Sequence, residues 1–425
     1  MKINALRALG HRNFRLFFCG QSLSLIGTWM TRLATSWLVY RLTGSSFLLG
    51  VVTFAGQIPT FLLGPLAGVW ADRWERRRVL LITQFLAALQ SLALAALTLS
   101  GRITVWEVVC LSVLQGVINA FDMPARQSFL VQMVEGRADL SNAIALNSTM
   151  VNGARLLGPA LAGIVIAAVG EGYCFLIDGL SYFAVIASLL VMHVDAQAAK
   201  KSTASMFVQV KEGWTYVSTF APVRTVLILF AIVSFMGVPY TVLMPVFTTK
   251  IMHGGAHMLG FLMGAAGVGS IFAALSLAAR KSVRGLYRVL PTVSAIFGGG
   301  LIAFSLSRTY WLSLVLMAVT GYGMMKAAAA ANTVIQTIVE EDKRGRVMSY
   351  YMMAYMGASP LGSLLAGSLA PVIGAPRTVM LCGIGCVAGA VWFALQMPKL
   401  RPIIRPIYQQ LGIIPVAPVA LDGQN

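Results

Sequence analysis

The chain has 425 residues, of which 58% are hydrophobic and only 11% are charged. A soluble protein carries about twice that charged fraction, so the composition excludes an ordinary soluble domain. The net charge of +18 is spread over short basic stretches between apolar segments, and this argues against a nucleic-acid-binding protein.

Twelve apolar segments follow one another along the chain, each long enough to cross a bilayer as a helix. We predict spans at 14–40, 47–70, 79–99, 105–125, 143–168, 173–193, 224–247, 258–279, 289–307, 310–331, 347–370 and 376–396. The longest gap divides the chain into an N-terminal bundle (1–193), a linker (194–223), a C-terminal bundle (224–396) and a tail (397–425). The first span is too long for a cleavable signal and contains Arg32.

Most of the 32 Lys and Arg residues fall in the predicted loops of one side. The positive-inside rule places that side, and with it both termini, in the cytoplasm. We therefore expect a multi-pass membrane protein, with the lipid bilayer as its partner. We expect it to work as a monomer.

Weak internal repeats relate the two halves of the chain. Gly27 recurs as Gly237, Leu49-Gly50 as Leu259-Gly260, and Gly153 as Gly357. Together with the division into six and six spans, the repeats predict an all-α membrane protein built from two pseudo-symmetric six-helix bundles.

A short polar stretch, GPLAGVWADRWERRR (64–78), joins the second and third spans. Gly64 and Gly68 fall on one helix face, so they would let another helix approach closely. Asp72 stands among cations, where it can pair with Arg73 or Arg76 or accept a hydrogen bond from a helix N-terminus.

The residues Gly68, Asp72, Arg73, Arg76 and Arg77 resemble motif A of the major facilitator superfamily in both order and position. Glu75 replaces the second glycine of that motif, which weakens the prediction of a tight turn but keeps the charge pattern. The alternative is a basic elbow that only obeys the positive-inside rule.

The fifth span contains Gly153, Gly158, Pro159 and Gly163. The glycines favour close packing and Pro159 removes one backbone hydrogen bond. The pattern resembles motif C, which exporters of the superfamily carry, so the resemblance implies efflux. The alternative is an ordinary membrane helix with glycine and proline.

Three phrases give a narrower resemblance: RNFRLFFCGQSLSLIGTWM (12–30), WLVYRLTGSS (37–46) and FDMPARQSF (121–129). They are similar to the transmembrane secretion effector branch of the superfamily, the branch of the bacterial enterobactin exporter. The resemblance implies a proton-coupled secondary exporter in the bacterial inner membrane. Its cargo would be a small organic molecule, such as a drug, a siderophore or a secreted metabolite. No Arg lies near Gln115-Gly116, so coupling through the motif B arginine is not available.

Charges inside the spans are the candidate functional residues, because each costs about 2.5–3.5 kcal/mol at the membrane centre. Arg32 and Lys326 fall on the first and tenth spans, which by resemblance line the cavity, and they suggest an anionic or electron-rich cargo. Trp29 and Tyr322 are candidates to stack on it. In the alternative, each cation pairs with an acid and only holds helices together, which is the interpretation favoured for Arg155.

Asp178 and Asp122 are the candidate proton carriers, since a carboxyl group shielded from water takes up a proton more readily. We hypothesise that Asp178 pairs with Arg32 as a titratable lock. In the alternative, Asp178 pins a peripheral helix and Asp122 is a hinge residue before Pro124.

Two segments lie outside the spans. In the linker, the spacing of Phe207, Val210, Trp214 and Val217 predicts an amphipathic helix at the membrane surface or under the bundle. The tail after Met397 is rich in proline, so we expect it to be loosely held rather than one long helix.

Other functions are disfavoured. Motif C argues against the nearest alternative, an importer in the same fold. A membrane enzyme would need converging acids or His, and an ATP-driven pump would need a phosphate-binding loop, which the sequence lacks. No charged ring or filter repeat suggests a channel. The Cys and His spacings predict no metal site, and we expect no cofactor.

Overall fold

The computed structural model of the chain describes residues 4–71, 74–134, 137–192, 206–280 and 282–414. These residues form a short 3₁₀ helix, Asn4–Gly10, and a series of α-helices. The N-terminal half contains α1 (Arg12–Thr43), α2 (Ser46–Ala71), α3 (Arg76–Leu99), α4 (Val105–Gln132), α5 (Arg137–Val169) and α6 (Glu171–Val191). After α7 (Met206–Thr219) come α8 (Ala221–Ile232), α9 (Tyr240–Val246), α10 (Ala256–Ala278), α11 (Leu286–Leu306), α12 (Tyr310–Ile338), α13 (Glu341–Ile373) and α14 (Ala375–Gln410).

Eleven helices of the described chain are long and apolar enough to cross a membrane. One of them is the composite Ala221–Ile251, in which α8 and α9 are each followed by a π-helical segment, Val233–Gly237 and Phe247–Ile251. The wider turns flank Pro239 and Pro245, which cannot donate a backbone hydrogen bond. α1 is equally long but less apolar, and it completes the twelve spans that the sequence predicts.

Helix neighbours repeat between the two halves. In the first half α1 packs on α5 and α6, α2 on α4, and α3 on α4 and α6. In the second half the composite span packs on α13 and α14, α10 on α12, and α11 on α12 and α14. Each pair in one list corresponds to a pair in the other, so the two bundles are pseudo-symmetric, as predicted. The residue limits assigned to the domains stay a prediction.

The halves meet where glycines let backbones touch. A methyl group added at Gly163 of α5 would lie 2.9 Å from the Cα of Gly260 in α10, and one added at Gly367 of α13 would lie 3.0 Å from the Cα of Gly50 in α2. Gly50 and Gly260 are the residues that the internal repeat relates. The two crossings are therefore counterparts under the pseudo-symmetry.

Both crossings lie toward the same end of the bundle, near the loops that join α1 to α2 and α5 to α6. Toward the opposite end, which carries most of the basic loops, a methyl group at Gly64 of α2 or Gly153 of α5 would have nothing within 4 Å. The bundles therefore diverge toward the basic end. The expectation of close packing at Gly64 is wrong for this conformation, because no described atom lies within 4 Å of a methyl group added there.

The expectation of a loosely held tail after Met397 is wrong as far as Gln410. α14 continues through Pro398, Pro402 and Pro406, which are all exposed and share one face because they are four residues apart. The opposite face buries Leu400, Ile404 and Tyr408 in the same cluster as Leu286 and Tyr287 of α11. Burial of that face stabilises the helix despite its missing hydrogen bonds. Residues 415–425 lie outside the described chain.

The linker helix is confirmed as α7, which packs against α13 and α8. Val217 is buried, as predicted, but Trp214 is 59% exposed. The side chains of Phe207 and Val210 lie outside the described residues.

The glycine crossing gives a first prediction. Gly260→Ala places its methyl group 2.5 Å from the carbonyl oxygen of Pro159, so α5 and α10 must separate. Overpacking of this kind costs about 1–3 kcal/mol, and we expect a lower melting temperature in detergent. The matched control is Gly299→Ala on α11, where nothing lies within 4 Å and alanine favours the helix. Equal melting temperatures for the two variants would contradict a tight crossing.

Candidate functional site

A cluster of two arginines and a tryptophan lies between the bundles. Trp29 and Arg32 are one turn apart on α1, and the guanidinium carbon of Arg32 lies 4.7 Å from the centre of the indole ring. Arg155 of α5 approaches the same ring at 5.6 Å. The two guanidinium groups are therefore held within about 10 Å of each other by one aromatic ring.

Neither arginine of this cluster has a carboxylate within 4 Å in the part of the chain that the structure describes. Arg32 is exposed toward the space between the bundles, and Arg155 is half-buried. The Arg155 guanidinium reaches the thioether sulfur of Met324 on α12, 3.8 Å away, and so crosses from one bundle to the other. The sequence analysis favoured a structural role for Arg155 and did not predict that it lies beside Trp29. Its spacing from Gly158 does not show which neighbour the side chain meets.

Two tyrosines of the second bundle lie near the arginine cluster. Tyr355 of α13 lies within electrostatic range of Arg32, and Tyr240 of α9 within range of Arg155. Phe230 stacks on Tyr351 at 4.7 Å and on Tyr355 at 5.3 Å between ring centres. The one-turn spacing of Tyr351 and Tyr355 was the available sequence signal, but alone it is equally consistent with an interfacial belt.

Lys326 and Tyr322 pair with each other instead of joining this cluster. Both lie on one face of α12, the Lys326 ammonium donates to the Tyr322 hydroxyl, and it lies 4.8 Å from the centre of the tyrosine ring. Among the described residues, no hydrogen bond, ion pair or ring contact joins this pair to Trp29 or Arg32. The four predicted binding residues thus form two separate pairs, one in each bundle.

Asp178 is a buried carboxylate inside the first bundle, only 2% exposed. Its Oδ2 accepts a hydrogen bond of 2.7 Å from the Ser91 hydroxyl of α3. Its Oδ1 packs against Gly27 of α1, and the hydroxyls of Thr28 and Thr31 on the same helix lie close to the carboxyl group, which has no cation beside it in the described chain. Since a buried anion without a cation is costly, this carboxyl group is suited to hold a proton.

The hypothesis of an Asp178–Arg32 pair is wrong in this structure, which has no ion pair between them within 4 Å. The reason lies in helix geometry. Gly27 faces α6 and Asp178, whereas Arg32 shares the Trp29 face and points toward the space between the bundles. The two groups lie on different sides of α1.

Asp122 has a different environment although it is equally buried. Its Oδ1 accepts hydrogen bonds from Thr83 at 3.0 Å and from Gln84 at 2.7 Å, both on α3. Its Oδ2 forms an ion pair with Arg126, one turn along α4. The carboxylate is fully partnered and joins α3 to α4, so this environment favours the alternative of a structural residue rather than a proton carrier.

Motif A is described only in part. Asp72 and Arg73 lie outside the described residues, and Gly68 belongs to the end of α2. Arg77 of α3 donates to the carbonyl oxygens of Leu189 at 2.8 Å and Leu190 at 3.0 Å, so it caps the last turn of α6. Glu75, where the motif has glycine, pairs with Arg78 at 2.6 Å. Arg76 begins α3 and is half-buried.

Motif C residues divide between two contacts. Gly158 faces Trp29 and the backbone of Ile26, and so brings α5 onto α1 beside the arginine cluster. Pro159 and Gly163 face Gly260 of α10 and form the crossing between the bundles. The same helix therefore touches both the arginine cluster and the crossing. Gly153 contacts neither.

No group of three or more His, Cys, Asp or Glu among the described residues is arranged to hold a metal ion. The polar groups between the bundles are instead suited to bind an organic solute through charge and aromatic stacking.

Known proteins similar to this chain are transporters. The Staphyloferrin A transporter of Staphylococcus aureus is 28% identical over 392 residues, covering 91% of this chain and 97% of that protein. Multidrug efflux pump Tap of Mycolicibacterium fortuitum is 27% identical over 386 residues, with 89% and 93% covered.

Solved structures confirm the fold. A bacterial homolog to the human lysosomal transporter Spinster, in an inward-facing and unoccupied conformation, aligns with a TM-score of 0.69 at 12% identity, covering 95% of this chain and 98% of that one. The nucleoside transporter NupG aligns with a TM-score of 0.68 at 14% identity, with 92% and 99% covered.

The family model described as transmembrane secretion effector matches residues 3–404, and this range takes in both bundles and the helix that links them. With a match of that extent, the chain belongs to the transmembrane secretion effector family of major facilitator transporters.

Proposed function

We propose that this transporter exports a small organic anion across the cell membrane by alternating access, driven by proton entry. The observation that carries the proposal is the pair of arginines on one indole, without acid partners, in the space between the bundles. An anionic cargo would supply the missing carboxylate or other negative group, and the indole would hold both guanidinium groups in place.

Export is favoured by motif C and by the relatives. The motif C helix α5 touches the arginine cluster through Gly158 and the other bundle through Gly163. Cargo bound at the arginines could therefore bias the crossing directly. Two relatives are described as multidrug and macrolide efflux proteins.

Orientation and coupling complete the proposal. The positive-inside rule places the basic loops and both termini in the cytoplasm, so the divergent end of the bundles would open inward. Asp178 is the proposed proton carrier, because it is buried and has no cation beside it in the described chain. It packs against one side of α1, and the proposed cargo site lies on another side of the same helix. Protonation there would remove a buried charge next to α1 and change how that helix packs.

Inverted membrane vesicles provide the main test. With an outward proton gradient across the vesicle wall, we expect accumulation of anionic cargo inside, abolished by an uncoupler. The probe is a panel of carboxylate-bearing and neutral compounds of similar size. Accumulation in right-side-out vesicles instead would identify an importer, and a preference for neutral compounds would contradict the anionic cargo.

The arginine cluster yields a second prediction. Arg32→Gln and Arg155→Gln should each raise the KM for an anionic cargo by on the order of tenfold, since one charged hydrogen bond contributes about 1.5–3 kcal/mol. Lysine at either position should restore part of the affinity. Arg102→Gln, which removes an exposed arginine from the loop between α3 and α4, is the control. An unchanged KM in both cluster variants would refute the site.

The two buried carboxylates give a third prediction. Asp178→Asn should keep the fold and downhill exchange of cargo but lose accumulation driven by a pH gradient. Asp122→Ala should instead lower the free energy of unfolding by about 3–5 kcal/mol, because Arg126 loses its buried partner. Transport assays and thermal melting separate the two outcomes.

Glu107→Gln, which changes a carboxylate at the exposed start of α4, is the matched control for Asp178→Asn. If Asp178→Asn still accumulates cargo against its gradient, the proton-carrier role is refuted. Structural collapse of Asp178→Asn alone would instead favour the alternative of a helix-pinning residue.

A further inference from the structure

The linker helix α7 is docked on the first turns of α13. Glu212 pairs with Arg346 at 2.9 Å, and the rings of Trp214 and Tyr350 lie 6.1 Å apart. The ammonium of Lys343 lies 5.0 Å from the centre of the Tyr216 ring. These contacts do not touch the space between the bundles, so they take no part in the proposed transport site.

Between the two helices lies a cavity of about 620 Å³, here called the α7–α13 cleft. Its walls are formed by residues of these two helices only. They are Lys211, Glu212, Gly213, Thr215, Tyr216, Thr219, Lys343, Arg346 and Val347.

The cleft has an excess of positive charge. Of its three cations, Arg346 is paired with Glu212, and Lys343 is paired with Glu340 at 2.6 Å outside the lining. Lys211 is exposed and has no ion-pair partner in the described part of the chain. Glu212 and Glu340 thus neutralise two of the cations, and Lys211 is the one left beside an open volume without an opposite charge in the described chain, which favours binding of an anion.

The position of the cleft indicates the kind of anion. It lies at the basic end of the bundle, where the span α13 begins at Glu341, and Trp214 beside it is 59% exposed. Basic pockets beside spans at this membrane face bind phosphate-bearing lipid headgroups, and exposed tryptophan favours the headgroup level. Free phosphate esters share the chemistry but would gain nothing from the membrane setting.

We propose that the α7–α13 cleft binds the phosphate of an anionic phospholipid headgroup, with Lys211, Lys343 and Arg346 around it. The bound lipid ties the linker helix to α13. Because α13 also carries Gly367 of the crossing to α2, membrane composition acts on a span that takes part in the conformational change. The proposal does not depend on the cargo or on its direction of movement.

Hydrogen–deuterium exchange of residues 206–219 in nanodiscs tests the site locally. In the parent protein, adding phosphatidylglycerol to phosphatidylcholine nanodiscs should slow exchange of α7 by on the order of tenfold. In Lys211→Gln/Lys343→Gln the slowing should disappear. The matched control, Arg284→Gln/Arg288→Gln, removes two exposed cations, one from the loop between α10 and α11 and one from the first turn of α11, and should keep the slowing.

If the double variant releases α7 from α13, faster exchange of α7 in pure phosphatidylcholine nanodiscs would show this. In that case the single variant Lys211→Gln provides the test. Lys211 contributes no ion pair to docking, so its loss should reduce the lipid effect alone. If cleft and control variants lose the effect equally, or if none of them loses it, the cleft is not the site and the proposal is overturned.

Glycerol 3-phosphate and inorganic phosphate, added to the parent protein in phosphatidylcholine nanodiscs, distinguish the sources of phosphate. No protection of α7 by either supports a lipid ligand. Protection by either one supports the phosphate chemistry and overturns the assignment to lipid.

Discussion

The two glycine crossings between the bundles, Gly50 with Gly367 and Gly163 with Gly260, are the contacts on which the arrangement depends. In a membrane there is no hydrophobic drive to bring one apolar helix against another, so association depends on close backbone packing. Here the crossings are related by the pseudo-symmetry and lie at the same end. A pair of contacts confined to one end leaves the other end free to open, which is the geometry that alternating access requires.

The helix α5 links this mechanical contact to the chemistry. One stretch of it packs on Trp29 through Gly158 and on α10 through Gly163, with Arg155 one turn earlier. A charged solute bound at the arginines, as proposed, would therefore act on the same helix that forms the crossing. No long relay is needed to connect a bound solute with the relative position of the bundles.

Charged groups within the spans of this protein fall into two classes according to whether an opposite charge lies beside them in the described chain. Asp122 has Thr83, Gln84 and Arg126 around it, and such a group stabilises one arrangement of α3 and α4. Asp178, Arg32 and Arg155 are left without an opposite charge, which costs free energy in a membrane interior. In the proposed transport cycle, a proton at Asp178 and a solute at the arginines would complete them.

The sequence by itself determined the number of spans, the two related halves and the family, because bilayer length, apolar composition and motif spacing act locally along the chain. It also proposed Trp29 and Arg32 as candidate site residues, and the structure brings their side chains together. Only the tertiary structure decided that Arg155 joins them, that Lys326 turns to Tyr322, and that Asp178 faces away from Arg32. Those outcomes depend on how each helix is rotated and which neighbour it meets, and packing between distant segments sets that rotation. The end of α14 is also decided by tertiary packing. Its prolines weaken the helix locally, but burial of the opposite face against α11 stabilises it.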